Sequence, residues 1–120
     1  MKIIQKSAVL VRPKQLFNDW AISIASGKED EGMTPDGEDG TVYLINRVDF
    51  LEPGYLRDRL ERYWIQIAAS EFEAWHTIPA DWPVMTSFDD FERYFHWEVR
   101  SSVEDLDGGS LIEEEERFLN

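Results

Sequence analysis

The chain has 120 residues, 42% of them hydrophobic, enough for one packed core and too many for general disorder. Its 12 Lys and Arg against 25 Asp and Glu give a net charge of −13, which argues against binding nucleic acid or an anionic membrane through a basic surface. With no Cys and only 2 His, disulfides, thiolate catalysis, zinc–sulfur sites and many-imidazole metal centres are excluded.

The apolar run Ser7 to Val11 is short and β-branched, which predicts a strand. It is cut by Arg12-Pro13 before it could serve as a signal-peptide core, and no apolar run is long enough to span a bilayer; together with the missing Cys this points to the cytoplasm. Pro13 suits the first turn of a helix carrying Leu16, Phe17, Trp20, Ala21 and Ile24 at helical spacing, with Ser26-Gly27 as a stop. Residues 27–40 read as a polar loop and Thr41 to Asn46 as a second strand. Both strands are apolar on both faces, as in the middle of a covered sheet.

A long helix is predicted from Pro53 to about Trp75, with Leu56, Leu60, Trp64, Ile67, Ala68, Ala74 and Trp75 on one face. Arg59, Arg62, Gln66, Ser70 and Glu73 fall on the opposite, wet face. Ile78-Pro79 ends it and Trp82-Pro83 makes a rigid connection. Ser87 and Asp90 form a capping pair before a shorter helix with Phe88, Phe91 and Phe95. Trp97 to Val103 alternates with Glu98, Arg100 and Ser102 as a half-exposed strand. Asp107-Gly108-Gly109 is a hinge before a last short helix capped by Ser110 and Glu113, with Leu111, Ile112, Phe118 and Leu119 apolar.

The expected fold is therefore a single α/β or α+β domain over residues 1–106, ordered β-α-β-α-α-β. It has a three-stranded mixed sheet, packed by helices, whose first two strands are joined by a parallel crossover. Residues 107–120 form an acidic tail. The charge is lopsided: residues 1–60 carry −2 and residues 61–120 carry −11.

Val11-Arg12-Pro13-Lys14-Gln15 with Trp20, Asp81-Trp82-Pro83, and Phe88, Phe91 and Phe95 followed by Glu98, Ser101, Val103, Asp105 and Leu106 resemble a small bacterial protein family without an established activity. The resemblance implies a compact α/β domain and no chemistry. In that pattern a His often stands where this chain has Arg100, which puts any metal role at that strand position in doubt.

Few residues form chemical constellations. Glu73 and His76 have the Glu-x-x-His spacing of metal-binding helices, and Glu92 with His96 is a weaker second pair. Glu73 falls on the wet face and only one such motif occurs, so no metal and no cofactor are expected. Glu71 lines up with Leu60 and Trp64 inside the apolar stripe, so it should be buried and paired with Arg12 or Arg100, unless the helix bends near Ser70 and turns it to water. The acidic loop Asp36 to Gly40 does not fit an EF-hand. No phosphate-binding Gly loop and no nucleophile elbow occur. Trp20, Trp64 and Trp75 sit on helix faces as core, which leaves Trp82 as the most exposed.

The leading expectation is a non-catalytic protein-binding or regulatory domain of inhibitor or immunity type. It would engage another protein, a basic one in particular, through residues drawn from Arg12, Glu71, His76, Trp82, Glu98 and Arg100. The competing expectation is a small enzyme or metal protein using Glu71, His76, Glu98 and Arg100. A homodimer, completed through the sheet or the C-terminal helix, is compatible with the first.

Overall fold

A computed structural model describes residues 2–25, 39–49 and 51–107. Strands β1 (Lys2–Ile4) and β2 (Lys6–Pro13) lead into helix α1 (Gln15–Ala25), followed by β3 (Thr41–Asn46). Helices α2 (Pro53–Leu60) and α3 (Trp64–Glu73), a 3-10 turn (Pro79–Asp81) and α4 (Phe88–Tyr94) precede β4 (Phe95–Arg100) and β5 (Val103–Asp105). The class is α+β. Among the described residues no helix is long and apolar enough to cross a membrane.

The main sheet has the order β3-β2-β4 and is antiparallel throughout, which corrects the expected mixed sheet and parallel crossover. Thr41 lies opposite Val11, so the chain re-enters at the end from which β2 leaves. Helix α1, 11 residues long, carries the chain about 16 Å away. Neighbouring antiparallel strands need no crossover connection. At the return point a Cβ on Gly40 would fall 2.8 Å from Arg12 Cγ and 2.8 Å from the Val11 carbonyl oxygen, so this approach to β2 requires glycine.

The β1–β5 ladder continues β2–β4 with one extra residue on the N-terminal side. Ala8 faces Arg100 and Ile4 faces Val103, leaving residues 5–7 opposite 101 and 102 only. This bulge splits the predicted third strand at Ser101-Ser102.

Side-chain parity divides the sheet into two unlike faces. Ser7, Val9, Val11, Ile45, Phe95 and Val99 point inward and are buried. On them pack Phe17 and Ala21 of α1, Leu60 of α2, Ile67, Ala68 and Phe72 of α3, and Phe88 and Phe91 of α4. The rings of Phe17 and Phe72 lie 5.3 and 5.7 Å from Phe95, so α1 and α3 both rest on β4. Among the described residues the helices cover this face alone. The covered-on-both-sides expectation fails: the outward residues Val42 and Leu44 are 59% and 39% exposed, and Ala8 and Leu10 are half-buried.

Several expected boundaries move. Pro13 closes β2 rather than opening α1, because its ring cannot donate but can end a ladder. The helix predicted from Pro53 to Trp75 breaks at residues 61–63, and Ala74, placed on its apolar face, is exposed. Arg59, placed on the wet face, is half-buried, with Nη2 donating to the Asn46 carbonyl at 3.2 Å. Phe95 starts β4 instead of ending α4, yet stays in the core. The capping pair is present: Ser87 Oγ accepts from the Asp90 N–H at 3.3 Å, and Asp90 Oδ2 accepts from the Thr86 N–H at 2.9 Å. The Gly108-Gly109 hinge and the helix starting at Ser110 lie outside the described residues.

Candidate functional site

Three of the six anticipated binding residues meet on the open face of the sheet. Arg12, on β2, and Glu98 and Arg100, on β4, all have outward parity. Glu98 accepts from both arginines, Oε1 from Arg12 Nη2 at 2.7 Å and Oε2 from Arg100 Nη2 at 3.1 Å. All three side chains are more than a third exposed, so these pairs orient the groups rather than stabilise the fold by more than about 1 kcal/mol each. Beside them runs an apolar strip. Leu10 stands opposite Val42 on one side and Glu98 on the other, and Ala8 stands between Leu44 and Arg100. Lys6, whose Nζ donates to Asn46 Oδ1 at 3.1 Å, lies at one end and His96, opposite Arg12, at the other. Lys6, Arg12 and Arg100 against Glu98 make this face cationic, the reverse of the chain as a whole.

Glu71 is elsewhere. It is half-buried on α3, and its partner is the Tyr43 hydroxyl, which donates to Oε2 at 2.5 Å. The anticipated Arg12 and Arg100 cannot reach it, because their outward parity puts them across the sheet. A hollow of about 130 Å³ lies here, lined by Glu71, Asp39, Thr41, Phe17 and Trp75. Burial, and then the hydrogen bond and negative charge of Glu71, push the Tyr43 phenol well above its ordinary value of 10.0. The folded state therefore holds a proton that the unfolded chain releases above about pH 10. The stabilisation is fully present below that pH and declines as pH rises beyond it. Urea midpoints followed upward from pH 9 should fall more steeply in the native protein than in Tyr43→Phe. Parallel curves would contradict the Tyr43–Glu71 coupling.

His76 and Trp82 form a third place. His76 Nε2 lies 2.8 Å from Asp81 Oδ2, the Trp82 indole donates to the His76 carbonyl at 2.7 Å, and the Trp20 indole donates to the Asp81 carbonyl at 3.1 Å. This network ties the segment after α3 to α1. Trp82 is half-buried rather than exposed, with its ring 6.1 Å from Phe72, and helps line an apolar groove of about 280 Å³ beside Trp64, Ala68 and Met85. The two carboxylate–His spacings do not assemble. Glu73 is exposed and His76 turns to Asp81. Glu92 is half-buried, held by Arg57 and by the Trp97 indole at 3.1 Å, while His96 faces outward. Among the described residues no three His, Asp or Glu lie close enough to hold a metal ion.

Sequence reasoning missed Tyr43, Asp81, the Arg57–Glu92 pair and Ser7. Parity within β3 was the available signal for Tyr43, because it shares the inward face with Ile45. Comparison of the chain with protein-family models, with curated proteins and with solved structures found no match in any of the three.

Proposed function

We propose that the protein is a non-catalytic binding domain of inhibitor or immunity type that engages another protein through the open face of its sheet. One observation carries this reading. Leu10, Val42 and Leu44 form an apolar strip on a face that no described helix covers, and the Arg12–Glu98–Arg100 cluster lies at its side. An uncovered apolar strip rimmed by polar groups is the usual composition of a protein contact. The net charge of −13 favours long-range approach of a partner that is basic overall, and Lys6, Arg12 and Arg100 then select carboxylates at the point of contact. The enzyme reading has no comparable support, since Glu98 and Arg100 face away from the helical layer that carries Glu71 and His76.

The test is affinity capture from the source cell's lysate, with the native chain beside an Arg100→Glu, Leu10→Ser variant. Both substitutions are on the outward face, so circular dichroism and cooperative unfolding should persist. A protein retained by the native chain and lost by the variant is the expected result. Identical captured proteins from the two chains would defeat the assignment of this face.

A further inference from the structure

The two edges of the main sheet are unlike. Strand β4 bears His96, Glu98 and Arg100 and is interrupted at Ser101-Ser102, opposite the bulge, devices that discourage another strand from adding. Strand β3 has none of them. Its six residues, Thr41-Val42-Tyr43-Leu44-Ile45-Asn46, include no charge, no proline and no glycine. They pair with β2 in one unbroken register from Val11–Thr41 to Lys6–Asn46, and among the described residues no strand lies on the other side.

We infer that β3 pairs antiparallel with β3 of a second copy of this chain, joining two three-stranded sheets into one six-stranded sheet. This goes beyond the heterologous partner proposed above and does not depend on it. Directly opposed residues must share a face, which restricts the register to pairings of like parity. The pairing centred on Tyr43 sets Val42 against the partner's Leu44, Tyr43 against the partner's Tyr43, and Thr41 against the partner's Ile45. Every opposed pair is uncharged, and Val42 and Leu44, 59% and 39% exposed, are covered by each other. The strips of the two open faces then run together across the middle of the joined sheet, with an Arg12–Glu98–Arg100 cluster towards each end. A pairing centred on Leu44 instead opposes Val42 to Asn46. Addition of β3 to another copy's β4 sets Val42 and Leu44 against charged residues and leaves an open end that does not close. The two-fold pairing uses up both unguarded edges at once. Because each copy carries −13, the dimer should tighten as salt screens the repulsion.

Light scattering over a wide concentration range, about 5 to 500 µM because an edge-to-edge contact is small, should show the mass rising from that of one 14.1 kDa chain towards that of two. Val42→Lys and Leu44→Lys point outward, so the fold tolerates them, and each should weaken association at least about tenfold. His96→Gln, on the opposite edge strand and without change of net charge, should leave it unchanged. The chain has no cysteine, so the register is read directly by oxidative cross-linking. A mixture of Val42→Cys and Leu44→Cys chains should form the mixed disulfide in preference to either like pair. A single-chain mass throughout would overturn the inference. So would a dimer unaffected by both lysine variants, or cross-linking with no preference for the mixed pair. Self-association is read on the purified chain alone and the open-face reading by capture of a different protein, so failure here is distinguishable from failure of that reading.

Discussion

Phe72→Ala should lower the unfolding free energy by about 4 kcal/mol, the range found for emptying a buried aromatic position. Phe72 is 2% exposed, and its ring is the meeting point of the helical layer with the sheet. The ring centroids of Phe17, Trp20, Trp82, Tyr94 and Phe95 lie 5.6, 5.0, 6.1, 6.1 and 5.7 Å away. Removing it strips one partner from each of five aromatic contacts and leaves a void that rigid rings cannot easily close. Phe72→Leu keeps most of the volume and should cost roughly 1–2 kcal/mol. Urea unfolding of both variants supplies the comparison. Equal losses, or an alanine loss below about 1 kcal/mol, would mean that the neighbouring rings collapse into the space and that the cluster is less interlocked than its geometry implies.

The same residue shows how far the sequence could be read. The α3 segment was recognised as amphipathic from Trp64, Ile67 and Ala68, and these do face the core. Helical spacing from Trp64, however, puts Glu71 near the centre of the stripe and leaves Phe72, which is buried, to one side. The helix breaks at residues 61–63, and nothing in Glu61-Arg62-Tyr63 marks that break, since no proline or glycine occurs there. Within α3 itself Glu71 stays nearly in line with Trp64, seven residues on, so the break does not take it off the stripe; it is half-buried there because α3 meets the edge strand β3 and the Tyr43 hydroxyl reaches it. Its expected arginine partners are excluded by a parity that the sequence leaves open, since Ala8 and Leu10 are as apolar as Val9 and Val11. In the structure Val9 and Val11 take the inward side of β2, and Arg12 must then point away from any helix packed there. The predicted covered sheet failed for a different reason. Apolar residues on both faces are as consistent with a face awaiting another molecule as with one covered by its own chain, and alternation alone does not separate the two. The meeting of Arg12, Glu98 and Arg100 depends on the register between strands some 86 residues apart, which only the fold supplies.

Ser7→Ala should cost roughly 2–3 kcal/mol, a large effect for removing one oxygen atom. Read as a sequence, Ser7 is merely the polar start of an apolar strand. In the structure it is fully buried at 0% exposure, the one buried polar side chain among the described residues. Its Oγ donates to the Ser101 carbonyl at 3.1 Å and accepts from the Val48 N–H at 2.8 Å. These bonds join the central strand to both neighbours at the places where each ladder ends: Ser101 follows β4 opposite the bulge, and Val48 follows the last residues of β3. A small hydroxyl can serve both sites because it is donor and acceptor at once. Alanine leaves the Val48 N–H without its partner and the Ser101 carbonyl without this donor, beside a Val48 that is only 1% exposed. Threonine keeps the hydroxyl but adds a methyl to a closed site, so it should restore part of the loss and no more. Hydrogen exchange separates this account from a general loosening of the core. The Val48 amide should lose protection in Ser7→Ala by a larger factor than the amides of Val9 and Val11, which remain in the β2 ladder. If the stability changes by less than about 0.5 kcal/mol and Val48 stays protected, the hydroxyl is not what closes the ends of the two ladders.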